Sequence, residues 1–541
     1  MNIVKRVSSS RALSVLAVCT GLWGALLLEG CSVVVAENPG LGIGSVCQTD
    51  QDCHAGYCLR SPRIPQSGIC AARCDAQVDC PSGSECVAGA CHVPLTVGVA
   101  MTGNPAESEG WTYAHVQGLQ DAAKEFGYVQ LDNHFGLVPG NVLEDLRKMA
   151  AKNRLVLGNS VDYINDFKQA AREHPNHNFL CVDDGVYMTG NDNFTTYWIH
   201  RVQAWYIAGK LAAEAVQANV TDKAQYRLGV ISAFVNPETV AAVNAFTLGA
   251  RSIHKDFVVE VRHVGFWFDP SEKASFVYEH QKASGDKDKR TYYREEYLAA
   301  QLVDSGCKII AHLTNTQRSV RLIEDLTKSG LTSGFVASMA NDNEQGCRDR
   351  TGNWTPTCFA AIYENWRPLY RDLFEKKHFG VFDAKKSLDY DMTDTQETPT
   401  GVRLNPAFKF PGVDPIAATQ LQQDFARSKP IPSRQRVFMG PYDITNQRDS
   451  NQDGIPDRPE LQKIKDGELL SVAESAKMCW YVKGVVEKDP ASGPRSMDRD
   501  AQVPGGLAVG SSLPNVLYTP SDLQQYSIPK GLHWECTKNS F

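Results

Sequence analysis

The chain has no Gly-x-Ser-x-Gly elbow, no His-Glu-x-x-His pair and no Gly-x-x-x-x-Gly-Lys loop. The common signatures of serine hydrolases, zinc peptidases and phosphate-loop enzymes are therefore missing. Its 13 histidines are scattered rather than clustered, and no enzyme is expected. An excess of positive charge is missing too. Lys and Arg number 55 against 62 Asp and Glu, a net charge of -7. Nothing in that balance draws the protein to nucleic acid or to an anionic membrane surface. What is present is ordinary globular material, 42% hydrophobic and 22% charged, enough for several cores at about 150 residues per domain.

The N-terminus departs from that average. Lys5, Arg6 and Arg11 precede the apolar run ALSVLAVCTGLWGALLL, residues 12–28. A basic region, then an apolar region shorter than the roughly 20 residues of a spanning helix, reads as a secretory signal. The run ends in Leu28-Glu29-Gly30-Cys31, which resembles the bacterial lipobox. That resemblance implies cleavage before Cys31, lipid on its thiol, and a lipid anchor in the bacterial cell envelope, on the periplasmic or outer-membrane face. Residues 1–30 are thus expected as signal peptide and 31–46 as tether.

Of the 16 cysteines, eight fall between Cys47 and Cys91, a pattern of oxidising compartments. CQTDQDCHAGYC and CDAQVDCPSGSEC repeat one theme, with Asp52-Cys53 and Asp79-Cys80 in the same place. Residues 47–92 hold too few large apolar side chains for a core, so four disulfides are expected to order them. The pairing is left open, since eight cysteines allow about 105 connectivities. Paired Cys-x-x-Cys knuckles are absent, which argues against zinc.

From Leu95 the pattern changes. Short apolar runs begin with LTVGVAM (95–101), RLVLGNS (154–160) and FLCVDD (179–184). RLGVISAF (227–234), VVEVRHVGF (258–266), KIIAHL (308–313) and GFVASMA (334–340) continue the series. Amphipathic stretches separate them, which predicts an α/β fold with parallel sheets flanked by helices. The strands are too many for one compact unit, so residues 93–541 are expected to form two lobes, with insertions near 280–292 and 380–435. Ligands of such sheets bind at the carboxyl ends of the strands. Trp111 and Thr112 follow the first run, Asn159 and Asp183 end two others, and Trp267 and Phe268 lie beyond a later one. An aromatic at a crevice is a binding anchor.

SEGWTYAHVQGL, LVLGNSVDYINDFKQAAREHPNHNFLCVD, RVQAWYIAGKLAA, VNPETVAAVNAFTLGARS and VFMGPYD with MCWYVKGVV resemble, in that order, the basic membrane protein family. These are substrate-binding lipoproteins of ABC importers, of the purine-nucleoside-receptor type. The resemblance covers most of residues 95–488 and implies a hinged, two-lobed periplasmic-binding-protein type I-like fold. It also implies a nucleoside-like ligand and an ABC permease as partner. Trp111 falls where the family has an aromatic, and Asp342 where it carries a strand-end Asp. Trp366 matches a family Trp. Stacking on such rings contributes about 1–3 kcal/mol per base, and a carboxylate accepts from two ribose hydroxyls. The family often has Asp three residues before the aromatic. Here that position is Ser108, flanked by Glu107 and Glu109; either glutamate is a substitute acceptor with a longer reach, and Glu109 is taken as the site residue. The alternative is a cell-surface sensor on the same scaffold, uncoupled from transport.

Two further features stand apart. Asp449, Asn451, Asp453, Ile455, Asp457 and Glu460 fit the twelve-residue calcium-loop pattern, the Ile through its carbonyl. A structural Ca²⁺ is expected there and no organic cofactor. Cys347 and Cys358 flank ten residues, and a disulfide between them is expected to pin the segment after Asp342. Cys181 and Cys307 read as buried strand-end residues.

Overall fold

The structure is a computed structural model. It describes residues 41–495, except 55, 107–109, 139, 184–191, 234–236, 266, 268–275, 282–284, 333, 393–400, 408–409, 428–432, 440, 444–462, 466–468, 471–477, 479–480 and 490–492. The expected signal peptide, Cys31, Glu109, Phe268 and the whole calcium loop lie outside the described residues. The chain divides into two compact units, at Val93 and Pro94.

The first unit is ordered by its cysteines. Val46–Cys47, Tyr57–Ser61 and Ile64–Ala71 form an antiparallel sheet, and Glu85–Val87 pairs with Ala90–His92. Four disulfides join Cys47 to Cys58, Cys53 to Cys70, Cys74 to Cys86, and Cys80 to Cys91. Each half of the repeat therefore pairs its first cysteine with its third and its second with its fourth. The repeated Asp has one job in both halves. Asp52 Oδ2 accepts from the amides of Gln48 and Thr49 at 2.8 and 2.9 Å, and Asp79 Oδ2 from those of Asp75 and Ala76 at 2.8 and 2.9 Å. Leu41 to Ser45 already bond into this unit, through Asp52 and Cys70, so the last part of the expected tether belongs to the folded module.

The second unit holds two parallel sheets. The first sheet takes β1 (Leu95–Ala100), β2 (Val129–His134), β3 (Leu155–Gly158), β4 (Asn178–Val182) and β5 (Phe194–Ile199) in the order β2-β1-β3-β4-β5. The second takes β6 (Arg227–Ser232), β7 (Val258–His263), β10 (Ile309–Leu313), β11 (Ala337–Ala340) and β12 (Cys358–Glu364) in the order β7-β6-β10-β11-β12. Between β7 and β10 stands an antiparallel hairpin, β8 (Phe276–Gln281) with β9 (Lys287–Tyr292). It occupies the expected insertion near 280–292. β3 and β10 are buried at every residue, as strands covered on both faces must be, which is why they read as unbroken apolar runs.

The helices follow the amphipathic stretches: α1 (Trp111–Phe126), α2 (Leu143–Ala150), α3 (Ile164–Glu173), α4 (Val202–Asn219), α5 (Pro237–Ile253), α6 (Arg294–Asp304), α7 (Arg318–Lys328) and α8 (Arg367–His378). α4 and α5 approach closely because each carries a glycine at the crossing. A Cβ on Gly209 would lie 2.0 Å from Phe246 O, and one on Gly249 2.0 Å from Tyr206 O.

The region expected as a loose insertion after 380 contributes β13 (Leu388–Tyr390), which joins β5 of the first sheet, and β14 (Val402–Pro406), antiparallel to β12 of the second. Among the described residues the chain thus passes between lobes three times: after β5, after β12, and between β13 and β14. Backbone bonds tie these crossings together. His200 N donates to Tyr390 O and Asn365 N to Gly401 O, each at 2.7 Å.

Candidate functional site

In both sheets the strand order reverses direction next to the first strand, so the crevices lie beyond β1 and β3 in one lobe and β6 and β10 in the other. The sequence-predicted residues cluster there unequally.

Trp111, Thr112 and Asn159 form one knot. The Trp111 indole N–H donates to Asn159 O at 2.7 Å. Asn159 Nδ2 donates to Thr112 Oγ1 at 3.3 Å, and Asn159 Oδ1 accepts from Thr102 N at 2.8 Å. Thr112 Oγ1 donates to Thr102 O. Trp111 opens α1 but is only 7% exposed, because other rings surround it. His115 and Trp366 meet it edge-on at 4.5 and 5.4 Å, and Trp198 lies at 5.9 Å. His115 stacks on Trp366 at 3.8 Å and bonds the Tyr370 hydroxyl through Nδ1. Burial first, and then the nearby Arg201, hold His115 well below the usual histidine range, so it is neutral.

Asp342, two residues beyond β11, has φ +68°, a left-handed backbone that Asp tolerates better than most residues. Its Oδ1 accepts from Arg201 Nη1 at 2.9 Å and from Asn341 Nδ2. Arg201 Nη1 also meets Glu364 Oε1 at 2.6 Å, and Nη2 meets Glu238. Three carboxyl groups thus share one guanidinium that is itself 5% exposed. Burial pushes Asp342 up to about 6 against the opposing pull of Arg201. It pushes Glu364 up to about 8, again opposed by Arg201 and reinforced by the Asp342 charge. His312 on β10, buried and also near Arg201, is held down to about 3.

The lobes touch at Gly110. Asn343 Nδ2 donates to Gly110 O at 3.0 Å. A Cβ on Gly110 would fall 2.6 Å from Asn315 O and 3.3 Å from Asp342 Oδ2. Trp267 is half-buried, and its carbonyl accepts from Asn315 N at 2.7 Å. That bond ties only its backbone carbonyl to the Asn315 segment that borders Gly110. Asp183 is buried at the end of β4, where its charge acts on Lys168 and Cys181 of its own lobe.

Beside Asp342, Cys347 and Cys358 are bonded to each other and packed on Val320, Ala340 and Ala361. Cys181 and Cys307 are free and buried. Arg201, Glu364, Trp198 and Tyr370 were not singled out from sequence. Arg201 heads the matching stretch RVQAWYIAGKLAA, the only signal that pointed to it.

Two α/β lobes of matching strand order, three crossings and a seam at both switch points define a two-lobed periplasmic-binding-protein type I-like fold. Residues 96–285 match the Bmp family, described as ABC transporter substrate-binding protein PnrA-like. This is the family that the sequence resembles. A purine-binding protein of Brucella abortus is 26% identical over 290 residues, 52% of this chain and 69% of its own. A putative ABC transporter glucose-binding protein of Haloferax volcanii is 25% identical over 277 residues, 51% of this chain and 59% of its own. Among solved structures, an ABC transporter solute-binding protein of Aeropyrum pernix K1 aligns with TM-score 0.47 and 13% identity, over 64% of this chain and 84% of that one.

Proposed function

We propose that the protein is a lipid-anchored solute-binding protein that takes a purine nucleoside or related aromatic ligand for ABC import. The observation that carries this reading is the seam itself. At Gly110 the aromatic knot around Trp111 meets the carboxylate of Asp342, and a nucleoside offers one flat and one hydroxylated half to such a pair. The purine-binding relative supports the same ligand class. A cell-surface sensor on this scaffold is the second reading. The disulfide-tied module ahead of Pro94 favours it, as a rigid unit that an importer does not need.

The test is a thermal-shift panel of adenosine, guanosine and inosine, with glucose as the sugar without a base. Stabilisation by at least one nucleoside and not by glucose is expected. Stabilisation by glucose alone would replace the base-stacking reading with a sugar site. Trp111→Phe is the right partner variant: it keeps much of the buried packing and removes the indole N–H bond to Asn159. Palmitate labelling that is lost in Cys31→Ser tests the anchor.

A further inference from the structure

We propose that Arg201 is a positioning residue of the ligand site, one that keeps Asp342 ionised with one oxygen turned to the seam. This rests on the reading of Asp342 as a ligand acceptor. Arg201 stands at the first crossing between lobes, immediately before α4. One guanidinium reaches both halves of the candidate site: its Cζ lies 5.7 Å over the Trp111 ring, and its Nη1 is 2.9 Å from Asp342 Oδ1. Oδ1 is taken by Arg201 and Asn341. Oδ2 is the oxygen that faces Gly110. The carboxylate is thereby fixed in rotation and offers a defined acceptor to a hydroxyl or N–H donor.

The charges around Asp342 make that role specific. Glu364 at the end of β12 and Glu238 in the first turn of α5 share the guanidinium. His312 on β10 and His115 on α1 are neutral neighbours. Asp391, at the third crossing, accepts from Gln203 Nε2 at 3.1 Å. Arg201 is the only cation among the described residues that meets the carboxyl groups of Asp342, Glu364 and Glu238. Without it, burial acts unopposed and Asp342 binds a proton in the neutral range. A protonated carboxyl loses acceptor capacity and gains a donor, the wrong face for a hydroxylated ligand. Lysine keeps the charge but not the planar fork that bridges several carboxylates, so it restores ionisation better than geometry.

The experiment uses the full chain, Arg201→Met and Arg201→Lys, with two readouts. In the first, ¹³C NMR follows the Asp342 carboxyl against pH. The midpoint is expected to rise by a unit or more in Arg201→Met and to return most of the way in Arg201→Lys. In the second, adenosine titration calorimetry runs from pH 5.5 to 8.5. Wild-type affinity is expected to fall only below about pH 6, whereas Arg201→Met loses tenfold or more at pH 7 and regains part of it above pH 8. An unmoved carboxyl midpoint overturns the proposal, as does an Arg201→Met variant with wild-type affinity and pH profile and only a lower Tm. If wild type binds no adenosine, the nucleoside reading fails, while the NMR titration still decides the role of Arg201. Should Arg201→Met not fold, Arg201→Lys decides: a wild-type midpoint together with wild-type affinity sinks the proposal.

Discussion

The two lobes share a strand order and differ in what they bring to the seam. The β1–β5 lobe presents rings: Trp111, Trp198, Trp366 and His115, with Tyr197 and Tyr370 beneath. The β6–β12 lobe presents hydrogen-bonding groups. Glu295 accepts from Thr314 Oγ1 at 3.0 Å and Ser319 N at 2.9 Å, and Gln317 donates to Asn341 O at 2.8 Å. One scaffold, used twice, therefore separates its chemistry by side. On the proposed reading, a guest held between them would meet stacking on one flank and polar recognition on the other, the division a small-molecule site needs. The shared strand order sets where the loops lie; only the loops decide what they do.

That contrast can be broken from the aromatic side first. Trp366 is 1% exposed and touches Trp111, His115 and Tyr197. Trp366→Ala is expected to cost about 3–5 kcal/mol, as large buried rings do, seen as a large drop in thermal midpoint. A loss under about 1 kcal/mol would mean the knot is not a packed unit. The seam comes next. Gly110→Ala places a methyl 2.6 Å from Asn315 O, so the lobes must part there. Adenosine affinity is expected to fall at least tenfold while the unliganded protein keeps its helix content by circular dichroism. Unchanged affinity would show that Gly110 does not mark the closed contact.

The polar side carries a pH signature. Glu364 is raised from an ordinary 4.5 to about 8 in the fold. A raised carboxyl contributes stability that is fully present below about pH 4.5 and is lost as pH rises through about 8. Stability should therefore fall across that window, and Glu364→Gln should flatten the fall. An equal slope in the variant assigns the dependence elsewhere. The smallest effect expected is calcium. EDTA should lower the melting temperature of wild type by a few degrees and leave Asp449→Ala with Asp453→Ala unmoved. Equal sensitivity in both rejects the 449–460 loop as the metal site.

The sequence is informative where chemistry repeats. All seven apolar runs named from Leu95 onward contain a strand, because strands buried on both faces leave an unbroken apolar signal. The doubled Cys-Asp-Cys theme reappears as doubled disulfide pairing, which spacing alone could not choose. Trp111, Thr112 and Asn159 were placed at one crevice because strand ends are predictable. That the Trp111 ring would be buried was not, since its neighbours Trp198 and Trp366 come from β5 and the edge of α8, far along the chain. Arg201 and Glu364 sit where the chain changes lobes, and a crossing has no periodicity to read. β2, β5 and β12 lie outside the seven named runs, and β13 and β14 are short edge strands in a polar stretch.

On the proposed reading the seam is a clamp that grips a base on rings and a sugar on Asp342. Adenosine binding to wild type and Asp342→Asn, measured by calorimetry at pH 7, tests it most directly. Measurable wild-type affinity and at least a tenfold loss in the variant, with the fold retained, are expected. No binding to wild type, or equal affinity in both, contradicts it.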